Sequence, residues 1–426
     1  QRSQRILQTF TIAVLLLAIF ADINLLPLFS GGVASTQVTP LLRVDHFSLL
    51  SFMLIAISVI AVAVLSHSFL KKSIEVHDEY YILLQLVALG AGILVVSDHY
   101  GSLFLGFELL SIAFIGLVGY LRKDKYAIEA GFKYLMLSAS ASSFMLLGIA
   151  FIYSQTGSLS FGLGDGTMNN LSFETTNIFY SVGMLLFLVG IAFKLSLAPF
   201  HFWTPDIYQG SPTPIALLLA TVSKVAMFTI LMKCWFSLPI ATINTGSILN
   251  EVICYFAMFS MILGNVLALK QQNIKRLLGY SSIAHMGYLL ILLVITSSQS
   301  IEFSWSSALV YLFGYALANI SIFIAISYTG KDELTIDGWR GLFWQNKILA
   351  SLIIVAVLSF AGIPLSLGFV GKFYLLNHAT VNETWPLIGS LIIGSGIGLF
   401  YYLRIVFSLF APVSSGIAPL RVDLMV

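Results

Sequence analysis

Long apolar runs with very few charges occupy most of this 426-residue chain. Hydrophobic residues make up 58% of the sequence and charged residues 9%, which is too little charge to cover the surface of a water-soluble protein. Many of the runs reach the length of about 20 residues that a helix needs to cross a bilayer. They are apolar on all faces, whereas the strands of a membrane barrel alternate in hydrophobicity. The sequence therefore predicts an all-α polytopic membrane protein.

The apolar runs end at glycines, prolines or clusters of charge, and we count about twelve predicted membrane-spanning helices. Their bounds are 6–29, 46–70, 80–97, 99–121, 126–154, 177–202, 208–236, 247–269, 275–297, 304–328, 347–377 and 385–411. No linker rich in proline or serine divides the chain, so we expect a single membrane domain over residues 1–426. The sequence starts at Gln1 with no recognisable signal peptide, and we expect one more helix beyond each end.

Lysine and arginine are distributed unevenly between the two sets of alternating loops, which predicts the orientation of the chain in the membrane. One set contains most of the cations, whereas the other contains Arg43 and, at a helix end, Lys233. The cations of the first set are Arg2, Arg5, Lys71, Lys72, Arg122, Lys123, Lys125, Lys270, Lys275, Arg276, Lys331, Arg340 and Lys347. Because positive loops stay inside the cell, the end at Gln1 is predicted to be cytoplasmic. The net charge of +2 indicates no nucleic-acid partner.

Cofactor-binding motifs are not found in the sequence. The two cysteines, Cys234 and Cys254, lie in apolar segments without a C-x-x-C pair, so neither a zinc site nor an iron–sulfur ligand set can be assembled. Gly394, Gly396 and Gly398 lie within a hydrophobic helix, which favours close helix packing over a dinucleotide-binding loop. We therefore expect no cofactor and no metal bound by this chain, and any redox chemistry must take place elsewhere.

A small set of ionisable residues interrupts the apolar helices, and placing each at a helix centre costs about 2.5 to 3.5 kcal/mol. These candidate site residues are Glu108, Lys133, Lys194, Lys224, His285 and Lys372. Two interpretations stay open at this stage. Such groups can form ion pairs or hydrogen bonds that lock helices together, or they can carry protons. Their occurrence in several separate helices favours proton transfer.

Elementary acid–base chemistry supports a proton-carrying role. Burial lowers the pKa of a lysine amine into a range where it can release its proton, and a nearby carboxylate raises that pKa again. Glu108 and Lys194 are therefore predicted to act as a switch that holds or releases a proton as the two charges join or separate. A histidine titrates near neutral pH, so His285 is suited to relay protons between lysines. His46, His67, His77, His99 and His378 lie near predicted helix ends, where we expect solvation.

An internal repeat is predicted from the spacing of polar and aromatic residues. Four pairs recur at separations of 177 to 180 residues: Glu108 and His285, Tyr134 and Tyr311, Lys194 and Lys372, and Lys224 and Arg404. We therefore expect peripheral N-terminal helices in 1–79, a five-helix unit in 80–236, a second five-helix unit in 247–411 and a tail in 412–426. Because five is odd, the second unit is predicted to be inverted, as in many transporters.

Each predicted unit contains a proline next to its buried lysine, Pro199 near Lys194 and Pro364 near Lys372. Proline removes a backbone donor and frees a carbonyl, which a membrane tolerates only where neighbouring groups or cavity water satisfy it. We expect a broken helix at both prolines, with the two breaks at membrane mid-depth and related by a pseudo-two-fold axis.

Three sequence motifs carry a resemblance to a known family. They are Asn273–Tyr288 (NIKRLLGYSSIAHMGY), Phe200–Pro214 (FHFWTPDIYQGSPTP) and Thr39–Asp45 (TPLLRVD). The first resembles the antiporter-like subunits of bacterial respiratory complex I and their Mrp-type antiporter relatives. The second and third are more similar to subunit N of NADH:quinone oxidoreductase than to its sister subunits L and M. The resemblance extends over essentially the whole chain, and the full family pattern has fourteen helices.

The resemblance implies a proton-translocating membrane subunit in the bacterial inner membrane, coupled to quinone reduction elsewhere in the complex. Glu108 and Lys194 would then be the ion pair, Lys224 the central relay and Lys372 the residue toward the exit, with Lys133 on the cytoplasmic entry path. FMN, iron–sulfur clusters and quinone would be bound by other subunits, and the implied partners are sister antiporter-like subunits and the lipid bilayer. The alternatives are a self-contained Mrp-type cation/proton antiporter and an inert membrane scaffold.

Overall fold

The computed structural model describes residues 2–30, 35–72, 78–161, 178–238, 248–294, 299–329 and 335–412. Within these ranges helices dominate, and a two-stranded antiparallel hairpin, β1 (Ser35–Thr39) and β2 (Leu42–Asp45), pairs Ser35 with Asp45. In the first half of the chain, the helices are α1 (Arg2–Ser30), α2 (His46–Lys72), α3 (Asp78–Val96), α4 (Tyr100–Val118), α5 (Lys125–Thr156), α6 (Ile178–Leu195), α7 (Trp203–Gly210) and α8 (Thr213–Phe236).

The second half continues the same pattern of long helices with short connections. Its helices are α9 (Ile248–Leu269), α10 (Ile274–Leu289), α11 (Gln299–Tyr328), α12 (Leu342–Gln345), α13 (Lys347–Ala361), α14 (Leu367–Val381) and α15 (Trp385–Phe410). Short 3₁₀ segments follow α10 at Leu290–Leu293 and precede α12 at Ile336–Trp339. Of the predicted tail at 412–426, only residue 412 lies within the described ranges.

The predicted fold class is confirmed: the chain is an all-α polytopic membrane protein. Eleven helices in the described ranges are long and apolar enough to span a membrane. The remaining predicted span, 347–377, is made of two shorter helices, α13 and α14. One predicted boundary was wrong, because the expected loop at 203–207 is part of α7. Pro205 lies in the first turn of that helix, where a missing backbone donor costs nothing.

Bridges and ion pairs join chain segments that lie between the helices. At one end, which we call the hairpin end, Leu42 bridges to Ser97 and His99 bridges to Ser160. Two ion pairs tie the hairpin to the helices there: Arg43 to Asp98 at 2.9 Å and Asp45 to Lys233 at 2.8 Å. At the other end, which we call the charged end, Asn273 bridges to Thr335.

Helix α8 lies at the centre of the bundle and is buried along nearly its whole length. It packs against α2, α3, α6 and α11. Helix α1 is the opposite case, since it packs on α2 and α3 with one face and exposes large apolar side chains such as Phe10, Leu17 and Phe20 on the other. Exposed apolar side chains of this kind are expected where lipid is the solvent. Any polar side chain on α8 must therefore be satisfied inside the protein.

Both predicted helix breaks are confirmed. Helix α6 ends at Leu195, Ser196 has a φ of 63°, and α7 begins only at Trp203. Helix α13 ends at Ala361, Gly362 has a φ of 77°, and α14 begins at Leu367. Backbone carbonyls at the end of a broken helix have no partner in the next turn, so other donors must bind them. The symmetry axis relating the two breaks and the division into two inverted units remain predictions.

The equal spacing of Lys194 and Lys372 does not correspond to equal positions in the two broken helices. Lys194 lies before its break, near the end of α6, whereas Lys372 lies after its break, in α14. The pair Lys224 and Arg404 differs as well. Lys224 is in the buried middle of α8, but Arg404 donates to the carbonyls of Leu269 and Gln271 at the charged end. The offset of 177 to 180 residues therefore does not join equivalent positions in these two pairs.

Close helix packing depends on glycine at several positions. Helices α5 and α6 approach so closely that a Cβ atom on Gly148 would lie 2.5 Å from the backbone nitrogen of Phe187. The close packing predicted for Gly394 and Gly398 is found against Tyr288 and Asn265. It is not found for Gly396, around which a Cβ atom would meet no other atom within 4 Å.

We expect Gly148→Ala to destabilise the protein by about 1 to 3 kcal/mol, because the added methyl group forces two helix backbones apart. The measurement is thermal unfolding of the detergent-solubilised protein. Gly396→Ala is the matched control, since it adds the same methyl group to an open helix surface and is expected to leave the unfolding temperature unchanged or slightly higher. Equal unfolding temperatures for the two variants would contradict the close packing of α5 and α6.

Candidate functional site

Lys194 is buried at the end of α6 and binds a tyrosine. Its Nζ donates a hydrogen bond to the Tyr134 hydroxyl on α5 at 2.5 Å. The ammonium group also lies 4.6 Å from the centre of the Tyr134 ring and 4.9 Å from that of Phe107 on α4. Two aromatic faces and a hydroxyl therefore replace the water that this cation would have outside the protein.

Glu108 lies on α4 beside Phe107 but does not form the expected contact with Lys194. No oxygen of Glu108 is within ion-pair distance of the Lys194 ammonium among the described residues, and its Oε1 is buried without a hydrogen-bond partner. The Lys194 ammonium group nevertheless lies 4.9 Å from the ring centre of Phe107, the residue next to Glu108. The structure thus brings the predicted pair into the same region in a separated arrangement.

Lys224 extends from the centre of α8 to the break between α6 and α7. Its Nζ donates to the backbone carbonyl of Lys194 at 3.0 Å and to Ser196 Oγ at 2.5 Å. Thr204 on α7 also donates to Ser196 Oγ, at 2.5 Å. The break leaves oxygens free to accept hydrogen bonds from a buried ammonium group. Ser196 Oγ accepts one hydrogen bond from Lys224 and one from Thr204. Lys194 and Lys224 are therefore joined through one short segment of chain.

His285 lies in α10, buried among aromatic rings and hydroxyls. Its Nδ1 is 2.6 Å from the Tyr311 hydroxyl, and its Nε2 is 3.1 Å from the Tyr402 hydroxyl. Tyr402 in turn hydrogen-bonds to Ser281. Both ring nitrogens thus have a hydroxyl partner that can donate or accept, and a proton can enter through one nitrogen while another leaves through the other.

Lys372 is half-buried at the second helix break. Its Nζ donates to the carbonyls of Phe360 and Ala361, at 3.0 and 2.9 Å, which are the last carbonyls of α13. It also lies 5.2 Å from the centre of the Tyr288 ring. A Cβ atom on Gly362 would lie 2.8 Å from the Lys372 side chain, so a larger residue there would displace the lysine. Free carbonyls at a break bind this lysine, as they bind Lys224.

Three buried hydroxyls lie between the two groups of residues. Tyr208 on α7, Ser282 on α10 and Tyr315 on α11 each have a buried side-chain oxygen that makes no hydrogen bond of normal geometry, and Ser282 lies close to both tyrosines. Ser282 is one helical turn from His285, and Tyr208 is one turn from Thr204. Buried hydroxyls without protein partners are usual positions for ordered water.

A small cavity of about 10 Å³ lies next to His285 at the second break, with Tyr311, Tyr315, Ser359 and Gly368 among its lining residues. A space of about this size holds one water molecule when polar groups surround it.

Lys133 belongs to a separate cluster of charges at the charged end. Its Nζ is 2.7 Å from Glu129 and 3.2 Å from Asp206, and Arg276 is 2.5 Å from the other oxygen of Asp206. Asp206 therefore joins helices α5, α7 and α10 through two cations. Unlike the three lysines at the breaks, Lys133 has carboxylate partners and a partly exposed side chain.

Several residues of the site were not predicted from the sequence. The sequence identifies Tyr134 and Tyr311 only as landmarks of the repeat, and it does not mark Ser196, Thr204 or Tyr402 as site residues. The prediction for His378 was wrong. It was expected to be solvated near a helix end, but it is 1% exposed and bonds to Ser304 at 2.9 Å. Serine and tyrosine are too common in membrane helices to be recognised as site residues from the sequence, before their neighbours in the fold are known.

In the described ranges, no three histidine, cysteine, aspartate or glutamate side chains come together. Cys234 and Cys254 are both free thiols.

The sequence profile of one protein family, described as NADH:quinone oxidoreductase/Mrp antiporter, transmembrane, matches residues 97–398. A chain in the structure of respiratory complex I from Thermus thermophilus is similar to this one, with 29% sequence identity and a TM-score of 0.81. That match covers 97% of this chain and 86% of the other.

Two further solved structures share the fold at lower identity. One is a chain of an archaeal respiratory membrane complex, the membrane-bound sulfane sulfur reductase, with 23% identity, a TM-score of 0.82 and coverage of 96% of this chain and 85% of the other. The second is a chain of the Mrp complex from Dietzia sp. DQ12-45-1b, with 18% identity, a TM-score of 0.83 and coverage of 98% and 78%. All three neighbours are chains of membrane complexes.

We expect Asp206→Ala to destabilise the protein by about 1 to 2 kcal/mol, because it leaves Lys133 and Arg276 without their shared carboxylate. Thermal unfolding in detergent measures the effect. Glu129→Ala is the control, since it removes an exposed carboxylate that pairs with Lys133 alone. If both variants unfold at the temperature of the unmodified protein, Asp206 does not hold the three helices together.

Proposed function

The chain belongs to the NADH:quinone oxidoreductase/Mrp antiporter transmembrane family, and we propose that it is a subunit N-type, proton-translocating subunit of NADH:quinone oxidoreductase. Protons would pass through Glu108, Lys133, Lys194, Lys224, His285 and Lys372, while quinone reduction takes place in other subunits. The chain itself would carry no redox cofactor, and FMN, iron–sulfur clusters and quinone would be bound elsewhere in the complex.

One observation carries this proposal: within the described ranges, the lysines at the two helix breaks have no carboxylate within ion-pair distance. Lys194, Lys224 and Lys372 instead donate to hydroxyls and carbonyls. A structural cation is normally neutralised, as Lys233 is by Asp45 in this protein. An ammonium ion buried without a counter-ion is costly, and loss of its proton removes that cost. Neutral partners therefore suit a lysine that binds and releases protons.

The connection between Lys194 and Lys224 supports a coupled proton transfer. Lys224 binds the Lys194 carbonyl and the adjacent Ser196 hydroxyl, so the two amines share one short segment of backbone. Two ammonium ions in such proximity repel each other, and protonation of one disfavours protonation of the other. Arrival of a proton at Lys194 would thus favour release from Lys224.

Glu108 would set the direction of that transfer. In the structure Lys194 donates to Tyr134, and Glu108 retains a buried oxygen without a partner. Approach of the carboxylate would stabilise a protonated Lys194, and its withdrawal would favour release. Lys133, in the cluster with Asp206 and Arg276, would be part of the cytoplasmic entry path.

The unpartnered hydroxyls of Tyr208, Ser282 and Tyr315 support a hydrated connection between Lys224 and His285. Water that bridges such groups carries a proton across a gap that is too long for a direct hydrogen bond. From His285, the tyrosine partners and the small cavity at the second break lead toward Lys372.

The expected setting is a bacterial inner membrane, with the Gln1 end in the cytoplasm and sister antiporter-like subunits as neighbours. The motif Phe200–Pro214 and the similarity to a chain of complex I support the redox-coupled role. The family and the similarity to a chain of an Mrp complex are equally compatible with a self-contained Mrp-type antiporter. Isolation of the native complex separates the two. Co-purification with NADH:quinone activity supports the proposal, whereas a complex without redox subunits that exchanges cations for protons supports the alternative.

Substitution of Glu108 tests the switch. Moving one proton across the membrane against the membrane potential costs about 2.3 kcal/mol per 100 mV. Each tenfold change in proton affinity corresponds to about 1.4 kcal/mol. We therefore expect Glu108→Ala and Lys194→Ala to reduce proton translocation by about tenfold or more in an assembled complex. Glu108→Asp should retain much of the activity because it keeps the charge. The measurement is acidification of closed vesicles alongside NADH oxidation.

Glu251→Gln is the matched control for this series, because it neutralises an exposed carboxylate on α9. It should translocate protons at the unmodified rate. Full proton stoichiometry with Glu108→Ala would show that the switch role is wrong, and failure of that variant to assemble would favour a packing role.

A further inference from the structure

We propose that a row of buried hydroxyls on α11, ending at His378, conducts protons from the His285 and Lys372 region to the hairpin end of the bundle. The row consists of Tyr311, Ser307 and Ser304, followed by His378 on α14. This inference rests on the proposed function, since it assigns the exit route for the protons that the central residues carry.

The packing of α11 against α14 places these residues in one continuous interface. A Cβ atom on Gly371 would lie 2.8 Å from the Tyr311 ring, and one on Gly314 would lie 3.1 Å from Leu367. Ser304 bonds to His378 further along. The three contacts share a single antiparallel register, in which the position on α14 rises as the position on α11 falls. The two helices therefore stay in contact from the second break to the end of α14.

Ser307 lies in the middle of this interface and is the strongest sign of a route. It is fully buried, and its hydroxyl oxygen has no hydrogen-bond partner. Residues three and four positions apart lie on the same side of a helix, so Ser307 faces the same way as Ser304 and Tyr311. A hydroxyl that only supports the fold would be bonded to a neighbouring group or to its own helix. An unpartnered hydroxyl between two bonded ones is suited to bind a water that connects them.

His378 is the only titratable group of the row at the hairpin end within the described residues. Its Nε2 is 2.9 Å from Ser304 Oγ, and its ring stacks on Phe303 at 6.2 Å between centres. The hairpin end is identified by Trp305, which packs against Phe47 and Phe236 beside the ion pairs of the hairpin. His378 therefore lies at the hairpin end, whereas Lys133 pairs with Asp206 toward the charged end.

The chemistry of the route is a sequence of proton transfers with no change in covalent structure. One imidazole nitrogen of His378 accepts a proton from the Ser304 side, and the ring then releases a proton from its other nitrogen at the hairpin end. Each hydroxyl accepts one proton and donates another, so the charge moves while the residues return to their original state. Beyond His378, the carboxylates of Glu302 and Glu383 are exposed and can accept the proton into solvent.

Two substitutions test the route in the native complex, reconstituted in closed vesicles. Ser307→Ala removes a hydroxyl that makes no hydrogen bond, so it costs the fold nothing. His378→Phe keeps an aromatic ring against Phe303 but removes the titratable nitrogens. Ser306→Ala is the matched control, because it removes an exposed hydroxyl bonded only to its own helix. We expect Ser307→Ala and His378→Phe to slow proton translocation by about tenfold, because water replaces a lost proton-transfer group only in part. The control Ser306→Ala should leave the rate of proton translocation unchanged.

The results distinguish this route from the wider proposal. If Ser307→Ala and His378→Phe both translocate protons at the unmodified rate while Lys372→Ala is blocked, the route is wrong and the proposed function stands. If Lys372→Ala also translocates at full rate, the proposed function itself fails. Should His378→Phe not assemble, Ser307→Ala alone decides, since a merely structural serine without a partner predicts no change in rate.

Discussion

The requirement that every polar group inside an apolar bundle find a partner within the protein governs this structure. Two helices meet that requirement in an unusual way, because each stops partway and leaves carbonyls free at its end. Those carbonyls, at Lys194 and at Phe360 and Ala361, are the acceptors for Lys224 and Lys372. A continuous helix would have used the same oxygens for its own backbone bonds. The breaks therefore supply the polarity that allows amines to exist at the centre of the bundle.

The contrast between the centre and the ends follows from the same requirement. At both ends, cations have carboxylate partners: Arg43 with Asp98 at one end, and Arg276 with Asp206 at the other. In the interior, the lysines at the breaks have only uncharged partners among the described residues. A carboxylate beside each of them would fix the positive charge permanently. Neutral hydroxyls and carbonyls bind a lysine without determining whether it holds its proton.

The sequence alone predicted much of the fold, since apolar length and helix-breaking residues act locally. The membrane helices and the breaks at Pro199 and Pro364 were found in this way, and the buried lysines were recognised by their cost in a membrane. Contacts between distant helices could not be predicted. The spacing of Lys194 and Lys372 suggested equivalence, but they lie on opposite sides of their breaks. His378 was assigned to solvent from its position near a helix end, whereas the packing of α11 buries it. Both errors arose because the position of a residue along its helix does not determine which neighbouring helix packs against that residue.

Helix α7 has a further consequence for how the protein responds to charge. It is eight residues long, with Asp206 bound to the surface cations and Thr204 bound to Ser196, the serine that also accepts from Lys224. Two turns of hydrogen-bonded helix are stiff, so these two side chains cannot shift independently. A displacement of α7 that changes the contacts of Asp206 with its cations would therefore also change the hydrogen bond from Thr204 to Ser196, beside the Lys224 amine. The contacts of Asp206 with its cations and the contact of Thr204 with Ser196 are thus coupled through one short helix.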